Sequence, residues 1–94
     1  MHIVRKSNIH TINTPSTVIS EYLMDEPDIS GAVAEVNGRY PEQGLASNEI
    51  SKELVYIING RGKIITRDEE KEFNQGDVVF IDRGELFAWE GNFT

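Results

Sequence analysis

Lys52-Glu53-Leu54-Val55-Tyr56-Ile57-Ile58-Asn59-Gly60-Arg61-Gly62-Lys63, answered downstream by Gly76-Asp77-Val78-Val79-Phe80-Ile81-Asp82-Arg83-Gly84, decides the fold of this chain. In the first stretch Glu53, Val55 and Ile57 alternate with Leu54, Tyr56 and Ile58. A period of two places the two sets on opposite faces of an extended strand. The run ends at Asn59-Gly60, a dipeptide suited to the positive φ values of a tight hairpin turn, and Arg61 to Arg67 reads as the returning strand. Asp68-Glu69-Glu70-Lys71 then forms a charged tip and Glu72-Phe73 a brief strand. In the second stretch Asn74-Gln75-Gly76-Asp77 is a turn and Val78 to Ile81 a strand. Asp82-Arg83-Gly84-Glu85 turns the chain again, into a last strand over Leu86 to Glu90.

The same punctuation extends upstream. His2-Ile3-Val4 and Thr17 to Met24 read as early strands, the second with Val18, Ser20, Tyr22 and Met24 on one face. Asp25-Glu26-Pro27-Asp28 is a loop, because proline interrupts a hydrogen-bonded ladder. Gly31 to Val36 is the next strand, followed by a long irregular segment from Asn37 to Ser51. Short helical turns are expected near Pro15-Ser16 or Asn48 to Lys52; nowhere does a helical period persist. Many short strands at regular spacing, without repeat or linker, predict one all-β domain over residues 1–94, an antiparallel sandwich or barrel.

Composition narrows the classes of function. At 94 residues the chain is near the lower limit for burying a sufficient core unaided, so a homodimer is expected. It has no cysteine, hence no disulfide, thiolate metal site or cysteine nucleophile. Neither a signal peptide nor a membrane-spanning run is seen, which predicts a cytoplasmic protein that does not engage a membrane. Nine basic against sixteen acidic residues give a formal charge of −7 and no basic cluster, which argues against nucleic acid as a partner. No phosphate loop, dinucleotide fingerprint, zinc motif or nucleophile–base pair is present.

The two opening stretches resemble the paired motifs of the cupin superfamily, small antiparallel jelly-roll barrels (double-stranded β-helices) that often hold a metal. In the first motif Glu53 and Gly60 stand at the family separation. The two histidine places fall on Ala46 and Asn48 or, in a register one residue shorter, on Ser47 and Glu49. In the second motif Gly76 and Gly84 match, Asp82 replaces the proline and Phe87 replaces the histidine. The resemblance covers roughly Ala32 to Asn92. More locally, the segments around Arg39, Glu49, Glu53 and Trp89 are similar to a set of small microbial cupins with equally histidine-poor motifs. Cupins usually continue for at least one more strand beyond the second motif, so the barrel is expected to lack its last strand or to be closed by a partner's.

The resemblance implies that Glu53 points inward, and parity then brings Val55 and Ile57 in while Leu54, Tyr56 and Ile58 face out. Phe87 and Trp89 share a face in the same way. The expected pocket has Glu53 as polar anchor, Phe87 and Trp89 as walls, and Asn48 and Glu49 at the rim; the plain alternative is that the two aromatics fill the core. A carboxyl in an apolar barrel is costly unless paired or protonated, which makes Glu53 the candidate acid or base. Loss of the histidines predicts no metal and no cofactor. Against this, Glu49 and Glu53, with Glu42 as the further candidate, would suit a hard divalent cation. The only histidines, His2 and His10, lie before the motifs, and Arg39, Arg61 and Arg83 read as surface groups or anion anchors. Three readings follow: a metal-independent cupin binding a sugar or carboxylic acid in the lumen; an isomerase or epimerase using Glu53, with or without a cation; and a dimeric structural or regulatory module with a packed lumen. Outward Leu54, Tyr56 and Ile58 are the expected dimer patch.

Overall fold

The computed structural model describes all 94 residues, Met1–Thr94. Apart from one 3₁₀ turn at Lys6–Asn8, its regular structure is all antiparallel strand: β1 His10–Asn13, β2 Thr17–Tyr22, β3 Gly31–Tyr40, β4 Glu53–Tyr56, β5 Gly60–Ile65, β6 Glu70–Asn74, β7 Val78–Ile81 and β8 Ala88–Phe93. Two sheets form the barrel, one in the order β1-β2-β3-β8-β5-β6, the other of β4 and β7 alone. The expected all-β barrel is what the chain builds.

Cross-strand rows on the inner face of the large sheet explain its shape. Val36, Phe93 and Gly60 form one row, and Tyr40, Trp89 and Ile64 another. Between them Gly38, Gly91 and Gly62 stand side by side on β3, β8 and β5. Phe73 of β6 is the register partner of Gly62. Three adjacent strands without side chains leave a trough, and glycine in a strand interior marks a bend or a close approach. Phe73 reaches across it and meets Trp89 edge-on at 5.6 Å and Phe93 at 4.8 Å. With Phe87 against Trp89 at 6.2 Å, these rings and the buried Val36, Ile57, Ile64 and Ile81 make one core. On the outer face, Lys63 lies 3.0 Å from Glu70 and 3.7 Å from Glu90. The hydrogen bond to Glu70 holds its ammonium above the ordinary lysine value.

Several expectations need correction. Asn59-Gly60 does not close a hairpin, because β4 pairs with β7 whereas β5 pairs with β6 and β8. The chain crosses there between sheets, and Asn59 and Thr94 exchange backbone hydrogen bonds. Gly60 has φ +83°, and a Cβ on it would overlap the carbonyl oxygen of Asn92. Its freedom thus serves a close approach to β8 rather than a turn. His2-Ile3-Val4 pairs with nothing; the first strand is His10–Asn13, selected because it can ladder on β2 from His10↔Glu21 to Asn13↔Val18. β3 continues four residues past Val36, to Tyr40, because β8 lies alongside it. The last strand begins at Ala88 rather than Leu86, and the one helical turn falls at Lys6–Asn8.

Candidate functional site

Two loops converge at one end of the small sheet, residues 46–51 before β4 and residues 82–87 after β7. Ala46 and Phe87 exchange backbone hydrogen bonds of 2.8 Å, Gly84 N donates to Asn48 O at 2.9 Å, and Arg83 Nε donates to Ile50 O at 3.1 Å. Ala46, not Ser47, stands opposite Phe87. A small and a large apolar residue thus meet where the two loops join.

The Asn48 side chain is engaged within its own loop. Its Oδ1 accepts from Ile50 N and Ser51 N, both at 3.0 Å, and its Nδ2 donates to Ser51 Oγ at 2.9 Å. Glu49 is exposed and accepts from Ser47 Oγ at 2.8 Å. No three His, Asp or Glu side chains cluster so as to hold a metal. Arg39 donates to Pro41 O at 2.7 Å, which with Arg83 leaves Arg61 as the arginine of the three without a bonded carbonyl. His2 and His10 are both exposed.

Strand parity around Glu53 is as expected. Ile57 is fully buried and Val55 lies against the core, while Leu54, Tyr56 and Ile58 are exposed. Glu53 itself is half-buried at the end of this inward row. Burial is the one cause that raises its pKa above the ordinary carboxylate value; neither a hydrogen bond nor a neighbouring charge offsets it. Phe87 and Trp89 are buried, as parity requires, and both belong to the core. Thr17 Oγ1 is the sealed side-chain polar atom that lacks a partner; the indole N–H of Trp89 is not sealed. Tyr40, which sequence reasoning did not single out, is the register partner of Trp89 and packs on the same cluster. Its signal was a place in a strand that read as irregular.

A carboxyl held toward its neutral form leaves a signature in stability. A raised folded-state pKa contributes stability that is complete below the unfolded value, about 4.3 for Glu, and is lost as pH rises through the folded value. Glu53→Gln should remove this component. Urea midpoints measured from acid to neutral pH should fall less steeply for the variant, which should equal or exceed wild type at neutral pH. A variant clearly less stable at neutral pH would show that the carboxylate is paired.

Two surface depressions lie away from these residues. One of about 350 Å³ is bounded by residues 14–18, 35–37 and 92–94. The other, about 590 Å³, is polar, formed by Gly60, Arg61, Asn74, Gln75 and Asn92.

No protein-family model matches the chain. A 1-hydroxy-2-naphthoate 1,2-dioxygenase of Nocardioides sp. (strain KP7) is 35% identical over 46 residues, 49% of this chain and 12% of that enzyme. The match thus spans about an eighth of the dioxygenase. Among solved structures, the β-barrel nucleoside dehydratase Pac13 superposes with a TM-score of 0.86 at 13% identity, over 99% of this chain and 76% of Pac13. A Streptomyces Pac13 variant with uridine gives 0.86 at 13% identity, over 99% and 75%. The polyketide cyclase RemF of Streptomyces resistomycificus gives 0.68 at 17% identity, over 99% and 71%. At these identities the likeness shows the fold: a small β-barrel shared with a nucleoside dehydratase and a polyketide cyclase.

Proposed function

We propose that this chain binds a small organic molecule, a sugar or carboxylic acid, at the Glu53 end of the barrel interior, without a metal. The observation that carries this reading is the half-buried, unpaired carboxyl of Glu53 beside an otherwise apolar core. Burial favours the neutral carboxyl; in that form it can donate to a ligand carboxylate, and in either form it accepts from a hydroxyl. Phe87 and Trp89 would supply the apolar wall, the unsealed indole N–H a second donor, and Asn48 and Glu49 the rim. The barrel neighbours named for action on a nucleoside and a polyketide support a small-molecule role. The same carboxyl suits proton transfer, on which an isomerase or epimerase reading rests. The packed-module reading is favoured by a different observation: Phe73, Phe87, Trp89 and Phe93 touch one another through the middle of the barrel.

Trp89 is the single tryptophan, so its emission reports on this site alone. Titration with a panel of hexoses, hydroxy acids, keto acids and uridine should shift Trp89 emission for at least one class. Glu53→Ala, which removes both donor and acceptor, should weaken that binding by roughly tenfold to a hundredfold, the worth of a hydrogen bond to a charged ligand group. A panel that leaves the emission unmoved would favour the packed module, and binding that survives the substitution would remove Glu53 from the site.

A further inference from the structure

The outer face of the two-stranded sheet is apolar throughout its length. Leu54, Tyr56 and Ile58 face outward from β4 and its continuation, Val78 and Phe80 from β7. Their residual exposures are 78%, 61%, 54%, 57% and 52%. Leu54 stands opposite Phe80 and Tyr56 opposite Val78, so the residues form a contiguous ladder rather than scattered contacts. Lys52 lies at one end, its Nζ 5.9 Å from the centre of the Phe80 ring. No acidic side chain occupies an outward position on either strand.

We propose that this face is the interface between two copies of this chain. The five residues expose on the order of 500 Å², near the upper size of a patch that a monomer leaves open. Two such faces together reach the roughly 1,000 Å² that a specific interface requires, before any rim is counted. Charge is compatible with the same face. Copies carrying −7 each repel one another over most of their surface, whereas this row is apolar, with Lys52 and Asp82, a pair of opposite sign, at one end. The internal core points the same way, with nine hydrophobic residues buried against twelve large hydrophobics left exposed. Two such sheet faces would stack in the manner of a β-sandwich, each presenting the same rows to the other about a two-fold axis.

Sedimentation velocity or light scattering on the full chain over about 1 to 100 μM, the range of micromolar association, tests this. Wild type should run at about 21 kDa, twice the 10.6 kDa of the chain. Leu54→Glu and Phe80→Glu should each halve that mass. Both sites are open to solvent in the single copy, so circular dichroism and Trp89 emission should show the fold retained. Val33→Glu, on the outer face of β3, should leave the dimer intact. A wild type at 10.6 kDa throughout would overturn the proposal and give the face to a different partner. A dimer insensitive to both substitutions would overturn it by placing the interface elsewhere.

Discussion

Phe73→Ala should lower the unfolding free energy by about 4 kcal/mol, within the roughly 3–5 kcal/mol seen when a buried aromatic is truncated. The reason for a large value lies beneath the ring. Cavity cost depends on whether neighbours can collapse into the space, and here one wall is the trough left by Gly38, Gly62 and Gly91, which have no side chains to move. The substitution also removes edge-on contacts to Trp89 and Phe93, each worth about 0.5–1.5 kcal/mol beyond area burial. A domain of this size has about 5–15 kcal/mol in all, so much of its stability would go, with a melting temperature lower by roughly 15 °C or more. Urea unfolding followed by Trp89 emission measures the change. A loss below about 1.5 kcal/mol would mean that the trough closes or that the ring is not anchored there. Leu23→Ala, at an exposed position, should cost under about 0.5 kcal/mol.

Gly91→Ala should be comparably severe for a different reason. Gly91 has φ +149°, and a Cβ built on it would stand 2.5 Å from Arg61 O and 2.6 Å from Gly62 Cα. Both contacts are backbone of the paired strand β5, so relief requires the central sheet itself to part. Gly76 provides the comparison: its φ is +90°, yet a Cβ there would meet nothing within 4 Å. Gly76→Ala therefore isolates the conformational cost, about 1–3 kcal/mol. Gly91→Ala should exceed it by at least about 2 kcal/mol, the scale of overpacking a closed core. Equal losses at the two sites would show that β5 and β8 yield easily.

The contrast between these residues and those around Glu53 explains what the sequence made legible. Alternation over Glu53 to Ile58 is local, so inward Val55 and Ile57 and outward Leu54 and Tyr56 could be assigned directly, as could the turns at Gly76 and Gly84. Pairing is not local. Asn59-Gly60 satisfies the composition of a hairpin turn, but a sheet crossing that passes close to β8 makes the same demand for glycine. His2-Ile3-Val4 has strand-forming residues and no partner, whereas His10–Asn13 has poorer residues and one. The glycine trough was invisible because Gly38, Gly62 and Gly91 are far apart in the chain, and Phe73 consequently read as a minor strand residue. At the candidate site, nothing local distinguishes Ala46 from Ser47; the bridge that sets Ala46 opposite Phe87 is made only in the fold. Nor could spacing show that both ends of the Asn48 amide are spent on its own turn.

The place of β8 in the large sheet has a consequence for how the molecule comes into being. The strand is the last of the eight in chain order, yet it lies between β3 and β5 and supplies Trp89 and Phe93 to the core. Until it docks, β3 and β5 have no common neighbour, and the inner face of the large sheet stays open to water. Cooperative folding of this chain therefore waits on the docking of β8, and a form without it presents the unpaired strand edges most in need of cover.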